Sequence, residues 1–141
     1  MLRVFLDANV LFAAAYSATG SSRQLISLAL RGALEILVSQ TTLEEAERNL
    51  RQKAPAALPV YLRILSSLAP KVVPPASRKT VENVVKYLNP KDAIVLAAAL
   101  EAQPDYFVTW DRRHFVDDPR VVAESGLAIV TPDELIDRIA N

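Results

Sequence analysis

The feature that most constrains the fold is an alternation of short apolar segments with helical segments along the chain. The apolar segments are rich in branched aliphatic and aromatic residues, and they read LRVFL, LEILVS, KVV, DYFVT and LAIVT. Strands that are apolar on both faces and joined through helices pair in parallel and are covered on both sides. The sequence therefore predicts an α/β fold, a three-layer sandwich with a central parallel sheet of four to five strands flanked by helices.

Length, charge and cysteine content limit the classes of protein to consider. The 141 residues fit one domain spanning 1–141. Sixteen basic and sixteen acidic residues cancel, so a polyanion must be bound by a local patch or through metal ions. Cysteine is absent, which excludes disulfides, thiolate chemistry and Cys-ligated zinc. The pattern shows neither a signal peptide nor a membrane span, and we expect a soluble cytoplasmic protein.

Acidic residues follow the predicted strands or open the helices beside them. Asp7 follows LRVFL, Asp111 follows YFVTW, and Asp92 lies in the first turn of an apolar helix. A group of glutamates opens the helix after LEILVS: Glu44, Glu45 and Glu47. Ligands of open parallel sheets bind outside the carboxyl ends of the strands. We therefore expect acids from four distant segments at one edge of the sheet.

Several carboxylates in one cleft repel one another and must be protonated or neutralised by cations. Oxygen ligands without cysteine and without paired histidines favour Mg²⁺ or Mn²⁺ over zinc. Such ions lower the pKa of a bound water and stabilise an in-line displacement at phosphorus. The pattern thus indicates a phosphodiester hydrolase.

Four segments match a known family in order and spacing: VFLDANVL, TTLEEA, NPKDAIVLAAAL and DYFVTWDRRHF, with IVTPDEL closing the chain. In these segments the sequence resembles the PIN-domain ribonucleases, which include the VapC-type toxins of toxin–antitoxin pairs. The resemblance implies an α/β sandwich, Mg²⁺ or Mn²⁺ dependence and endonucleolytic cleavage of single-stranded RNA. It also implies a homodimer and a small antitoxin partner that places a basic side chain in the acidic pocket.

The resemblance implies four acids as catalytic ligands of one or two metal ions: Asp7, Glu45, Asp92 and Asp111. Asn9 and Thr109 match polar residues that support such a site. Glu45 is chosen by the resemblance alone, because helical phase places Glu47 nearer the apolar face of its helix. Asp117, or its neighbour Asp118, is a candidate for a further acid.

Trp110 departs from the small or polar residue expected before Asp111, which leaves the shape of the pocket open. Arg112, Arg113 and His114 follow, and these basic groups are candidates for contact with substrate phosphate. A solvated turn explains the same three residues equally well.

Each acid also has a purely structural interpretation. Asp7 suits a helix N-cap, Asp92 a favourable place at a helix N-terminus, and Asp111 a turn. The glutamates suit a solvated helix face paired with Arg48 and Arg51. The coincidence of all four segments at one sheet edge favours a site.

Other functions remain to be weighed. An aspartyl phosphatase needs a second aspartate two residues after Asp7, where this chain has Asn9. A receiver domain needs an acid pair near the start and a lysine after a late strand, and neither is present. The main alternative is a PIN-like module that has lost catalysis and only binds RNA or protein.

Overall fold

A five-stranded parallel sheet forms the centre of the protein in a computed structural model that describes residues 1–140. The strands are β1 (Leu2–Leu6), β2 (Leu34–Ser39), β3 (Lys71–Val73), β4 (Tyr106–Val108) and β5 (Ile129–Val130). Their order in the sheet is β3-β2-β1-β4-β5, and every neighbouring pair is parallel. This confirms the predicted α/β fold with a central parallel sheet, which has five strands where the sequence predicts four to five.

Helices connect and cover the strands. They are α1 (Ala8–Tyr16), α2 (Ser21–Leu30), α3 (Gln40–Lys53), α4 (Leu58–Leu68), α5 (Arg78–Val84), α6 (Pro90–Ala102), α7 (Pro119–Ser125) and α8 (Pro132–Ala140). A 3₁₀ turn spans Pro55–Ala57 and a π-helical turn spans Arg112–Val116. Within residues 1–140, the helices all lack the length and apolar content needed to cross a membrane.

Alternating side chains of β1 divide the core into two layers, as expected for a sheet covered on both faces. Val4 and Leu6 are buried against α1–α4 and α8. Phe5 is buried on the opposite face with α5, α6 and α7. There its ring stacks on Phe107 of β4 at 5.5 Å, and Phe107 stacks on Phe115 at 5.2 Å. These rings fasten the π-helical turn to the centre of the sheet.

Two helix starts differ from the sequence-based prediction. The segment TTLEEAERNLRQK predicts a helix that begins at Thr41 or Thr42, but α3 begins at Gln40 because Ser39 is its N-cap. The Ser39 hydroxyl accepts from the Thr42 amide, and the Thr42 hydroxyl accepts from the Ser39 amide. The segment TGSS predicts a hydroxyl N-cap for α2, but Gly20 is its N-cap residue and makes no side-chain cap bond.

The ends of two other helices follow the sequence. The segment RQLISLALRG predicts a helix that ends at Gly32, and Gly32 has φ 84°, a left-handed conformation that suits glycine after the end of α2. The spacing of Thr131 and Glu134 predicts a capping box at the start of α8. The structure contains it, since the Glu134 amide donates to Thr131 Oγ1 and the Thr131 amide donates to Glu134 Oε1.

The segment between β4 and β5 was not predicted in detail. The π-helical turn has no simple sequence pattern, but α7 has one, because Asp118 precedes Pro119. Asp118 caps this helix by accepting from the Arg120 and Val121 amides, and proline suits the first helical position. The segment SRKTVENVVKYL predicts a longer helix than α5, which ends at Val84.

The order of the strands along the chain reverses direction at the centre of the sheet. From β1 the chain continues to β2 and β3 on one side, and later to β4 and β5 on the other. The neighbouring strands β1 and β4 therefore mark the topological switch point, where ligands of open α/β sheets bind. Asp7 and the segment 109–111 follow these two strands.

Candidate active site

Asp7 lies at this switch point and is 8% exposed. Its amide donates to the Val108 carbonyl of β4 at 3.0 Å. One carboxylate oxygen accepts from the Ala8 amide at 2.8 Å, which makes Asp7 the N-cap of α1. The other accepts from the Thr109 hydroxyl at 2.9 Å. The structural interpretation is thus correct as far as it goes, and it leaves a buried charge to be explained.

That charge is unfavourable in the metal-free protein. Burial raises the pKa of Asp7 from 3.8 to about 6, although hydrogen bonds from Thr109 and Ala8 lower it. The negative charges of Glu45 and Asp92 raise it further. Acids from α3 and α6 therefore lie close enough to Asp7 to act on it. Perturbed acids of this kind are concentrated at functional sites.

Thr109 connects the acid after β1 to the acid after β4. It is fully buried, and its hydroxyl donates to Asp7 while accepting from the Asn9 side-chain amide at 3.1 Å and the Asp111 amide at 3.0 Å. The Asn9 side-chain oxygen Oδ1 accepts from the Trp110 backbone amide at 2.9 Å. Asn9 and Thr109 thus join the segment after β1 to the segment after β4 through side-chain hydrogen bonds.

Trp110 turns away from the acids. Its indole Nε1 donates to the Ser22 hydroxyl of α2 at 2.9 Å, and its ring packs against the core layer of α1–α4. The residue that departs from the family pattern therefore anchors the loop after β4 to α2.

Thr109→Val is expected to destabilise the metal-free protein by about 2 kcal/mol, because buried polar partners lose their hydrogen bonds while the shape is kept. Urea unfolding at neutral pH measures this loss. Thr109→Ser keeps the hydroxyl and removes one methyl group, so its loss should be about 1 kcal/mol. A valine variant as stable as the parent would show that the network contributes nothing to folding.

Asp92, Asp111 and His114 form a second part of the site. Each offers a donor atom, and these donor atoms all lie within 4.8 Å of one another. Asp92 accepts from the Asn89 side-chain amide at 2.7 Å. Asp111 accepts from the His114 amide at 2.9 Å and lies 3.0 Å from His114 Nδ1. Sequence reasoning had placed His114 only among candidate substrate contacts.

The two glutamates of α3 that were in question face different neighbours. Glu45 lies 2.9 Å from the Lys91 ammonium at the start of α6, and its charge acts on Asp7. Glu47 lies 3.5 Å from Arg51. Burial is the main cause of the raised pKa of Tyr61, and the negative charge of Glu47 raises it further. Glu45 is therefore on the side of Asp7 and Asp92.

The remaining predicted residues are arranged around the π-helical turn. Arg112 binds Asp117 through two hydrogen bonds of 3.0 and 3.1 Å and also Glu134 at 3.2 Å. The pKa of Arg112 is raised by the bond to Asp117. Asp117, the candidate for a further acid, is thus the partner of Arg112, whereas Arg113 is exposed. Arg112 fastens the turn to α8.

Acids from four segments therefore meet beside β1 and β4. The charges of Glu45 and Asp92 act on Asp7, Thr109 joins Asp7 to Asp111, and Asp92 lies beside Asp111. Carboxylate donors suit a hard divalent cation, and such a cation would balance the negative charges of these acids and favour the ionised form of the buried Asp7. The donor set fits Mg²⁺ or Mn²⁺ chemically.

Comparisons with known proteins agree with this fold. The family model described as PIN domain matches residues 3–113. The crystal structure of PAE2754 from Pyrobaculum aerophilum is similar, with a TM-score of 0.66 and 26% identity over 99% of this chain and 97% of that one. The crystal structure of VapBC2 from Rickettsia felis, bound to a DNA fragment from the VapBC2 promoter, is also similar. Its TM-score is 0.64, with 17% identity over 92% of this chain and 98% of that one. No curated protein sequence matches the chain.

Proposed function

The chain belongs to the PIN domain family, and from that premise we propose that it is a divalent-metal-dependent endoribonuclease acting on single-stranded RNA. The observation that carries the proposal is the convergence of acids from α3, α6 and the two central strand ends on the buried Asp7. A binding module without catalysis has no use for so unfavourable a charge.

Asp7, Glu45, Asp92 and Asp111 would hold one or two Mg²⁺ or Mn²⁺ ions. A divalent cation bound there lowers the pKa of an attacking water and stabilises the charge that develops on the phosphate. Asp7 is the buried acid of the four, and Thr109 fixes its orientation relative to Asp111. The exposed Arg113 and the Lys91 ammonium are cations near the site that can contact phosphate oxygens.

Purified protein is expected to cleave mixed-sequence single-stranded RNA with Mn²⁺ or Mg²⁺ and not with a chelator. Asp92→Asn should lower the cleavage rate by at least about 100-fold, since loss of even an outer-shell partner of a metal costs 10- to 100-fold. Asp137→Asn, an exposed acid on α8, is the matched control and should cleave like the parent. Gel analysis of time courses measures all three.

Equal cleavage by Asp92→Asn, or cleavage in chelator, would identify a contaminating nuclease. Cleavage of single-stranded DNA but not of RNA would overturn the proposed RNA substrate and make the protein a deoxyribonuclease. If no nucleic acid is cut and neither metal raises the melting temperature, the alternative of a catalytically inactive RNA- or protein-binding module replaces the proposal.

Partner and location belong to the same proposal. The fold likeness to VapBC2 supports a small antitoxin protein as partner and a role as the toxin of such a pair. A homodimer, a cytoplasmic location and a single PIN-like domain over 1–141 complete it. An aspartyl phosphatase is disfavoured, because the amide of Asn9, bound to Thr109 and Trp110, has no acidic proton to give.

A further inference from the structure

His114 is placed beside the acids by a turn that is fixed from several directions. The Phe115 side chain, next in sequence, is 1% exposed and stacks on Phe107. Arg112, two residues before His114, is bound to Asp117 and Glu134. The His114 amide itself donates to Asp111. An exposed imidazole normally samples many positions, but the backbone that carries this one is held.

The turn is a π-helical one, a rare conformation that recurs at functional sites. Its effect here is to bring His114 Nδ1 to 3.0 Å from the carboxylate of Asp111. Asp92, which lies on helix α6, contributes a donor atom to the same group, and all donor atoms of the group lie within 4.8 Å of one another. Ligands about 2.1 Å from one octahedral ion are separated by about 3 to 4 Å. The three side chains need to move little to share one ion.

We infer that His114 is a nitrogen ligand of the metal held by Asp92 and Asp111, and that it shifts the preference of the site from Mg²⁺ toward Mn²⁺. The inference rests on the proposed metal-dependent function and deepens it. Imidazole suits transition metals, whereas Mg²⁺ favours oxygen ligands throughout. An all-carboxylate site would not discriminate between the two ions on this ground.

The test is calorimetric titration of the whole chain with Mn²⁺ and, separately, with Mg²⁺. His114→Asn, which offers an amide oxygen in place of the nitrogen, is expected to weaken Mn²⁺ binding by about 10- to 100-fold and Mg²⁺ binding by much less. Val122→Ala, a neutral change at an exposed position of α7, is the control and should leave both affinities unchanged. Electron spin-echo spectroscopy of the Mn²⁺-loaded parent should show coupling to a nitrogen nucleus that His114→Asn lacks.

An equal loss for both metals, without a nitrogen signal in the parent, would mean that His114 only positions Asp111, and it would overturn the inference. If the parent cleaves RNA with metal and His114→Asn binds both ions as the parent does, the inference fails while the proposed function stands. If the parent binds neither ion, both fail together.

Discussion

Replacing Asp7 by asparagine is expected to abolish metal-dependent cleavage and, at the same time, to make the metal-free protein more stable at neutral pH. The loss of activity should be at least about 100-fold, because a direct ligand matters more than the outer-shell partners that cost 10- to 100-fold. The gain in stability follows from the position of the carboxylate, which is buried beside the negative charges of Glu45 and Asp92.

The sign of the stability change follows from proton linkage. The pKa of Asp7 is raised from 3.8 to about 6 in the folded protein, so the folded state binds more protons than the unfolded state between these values. The free energy of unfolding of the parent therefore falls as the pH rises from about 4 to about 6. A shift of two pKa units corresponds to a cost of about 3 kcal/mol above this window.

Asparagine has no charge, but it keeps the side-chain oxygen that caps α1. It loses the acceptor for the Thr109 hydroxyl, which costs about 1 kcal/mol. We therefore expect Asp7→Asn to be more stable than the parent by about 2 kcal/mol at pH 7.5 and slightly less stable at pH 4. Urea unfolding of both proteins in chelator, at pH 7.5 and at pH 4, measures this reversal of their relative stabilities.

Metal should reverse the comparison at pH 7.5. A cation at 100 times its dissociation constant stabilises the parent by about 2.7 kcal/mol, and the variant should not respond. If the parent is the more stable protein in chelator at both pH values, Asp7 is a helix cap with a net favourable charge. The proposed metal site would then lose its main support.

Much of this arrangement follows from local patterns in the sequence. The strand Leu2–Leu6 and the helix Pro90–Ala102 are apolar almost all round, and only elements buried on both sides have this composition. Once the strands are parallel, the residue after each one lies at the carboxyl edge, so the position of Asp7 and Asp111 is implied by topology alone.

The details that local patterns did not provide depend on tertiary neighbours. The phase of α3 identifies the residues that face the core, but both Glu45 and Glu47 lie beside that face. Which of them joins the site depends on α6 lying on one flank and α4 on the other. The π-helical turn depends likewise on Phe115 reaching Phe107, a contact that no local pattern indicates.

Two glutamates of α3, Glu45 and Glu47, are expected to differ strongly in their effect on RNA cleavage. Glu45→Gln is expected to lower RNA cleavage by about 100-fold and to weaken the metal-induced rise in melting temperature, since a neutral amide replaces a proposed ligand. Glu47→Gln is the matched control on the same helix. Its carboxylate pairs with Arg51 at 3.5 Å, a largely exposed contact that contributes less than about 1 kcal/mol, so its cleavage rate should stay within about twofold of the parent.

Glu45→Gln also removes the ion pair with Lys91, and Lys91→Met separates that loss from the loss of a ligand. Lys91→Met breaks the same pair but leaves the Glu45 carboxylate free for a cation, and it removes a like charge from the neighbourhood of the metal. Its melting temperature in Mn²⁺ should therefore rise at least as much as that of the parent. If Lys91→Met loses the metal response as Glu45→Gln does, the ion pair is what the site requires. If Glu47→Gln loses it instead, the helical phase was the better guide and Glu47 is the ligand.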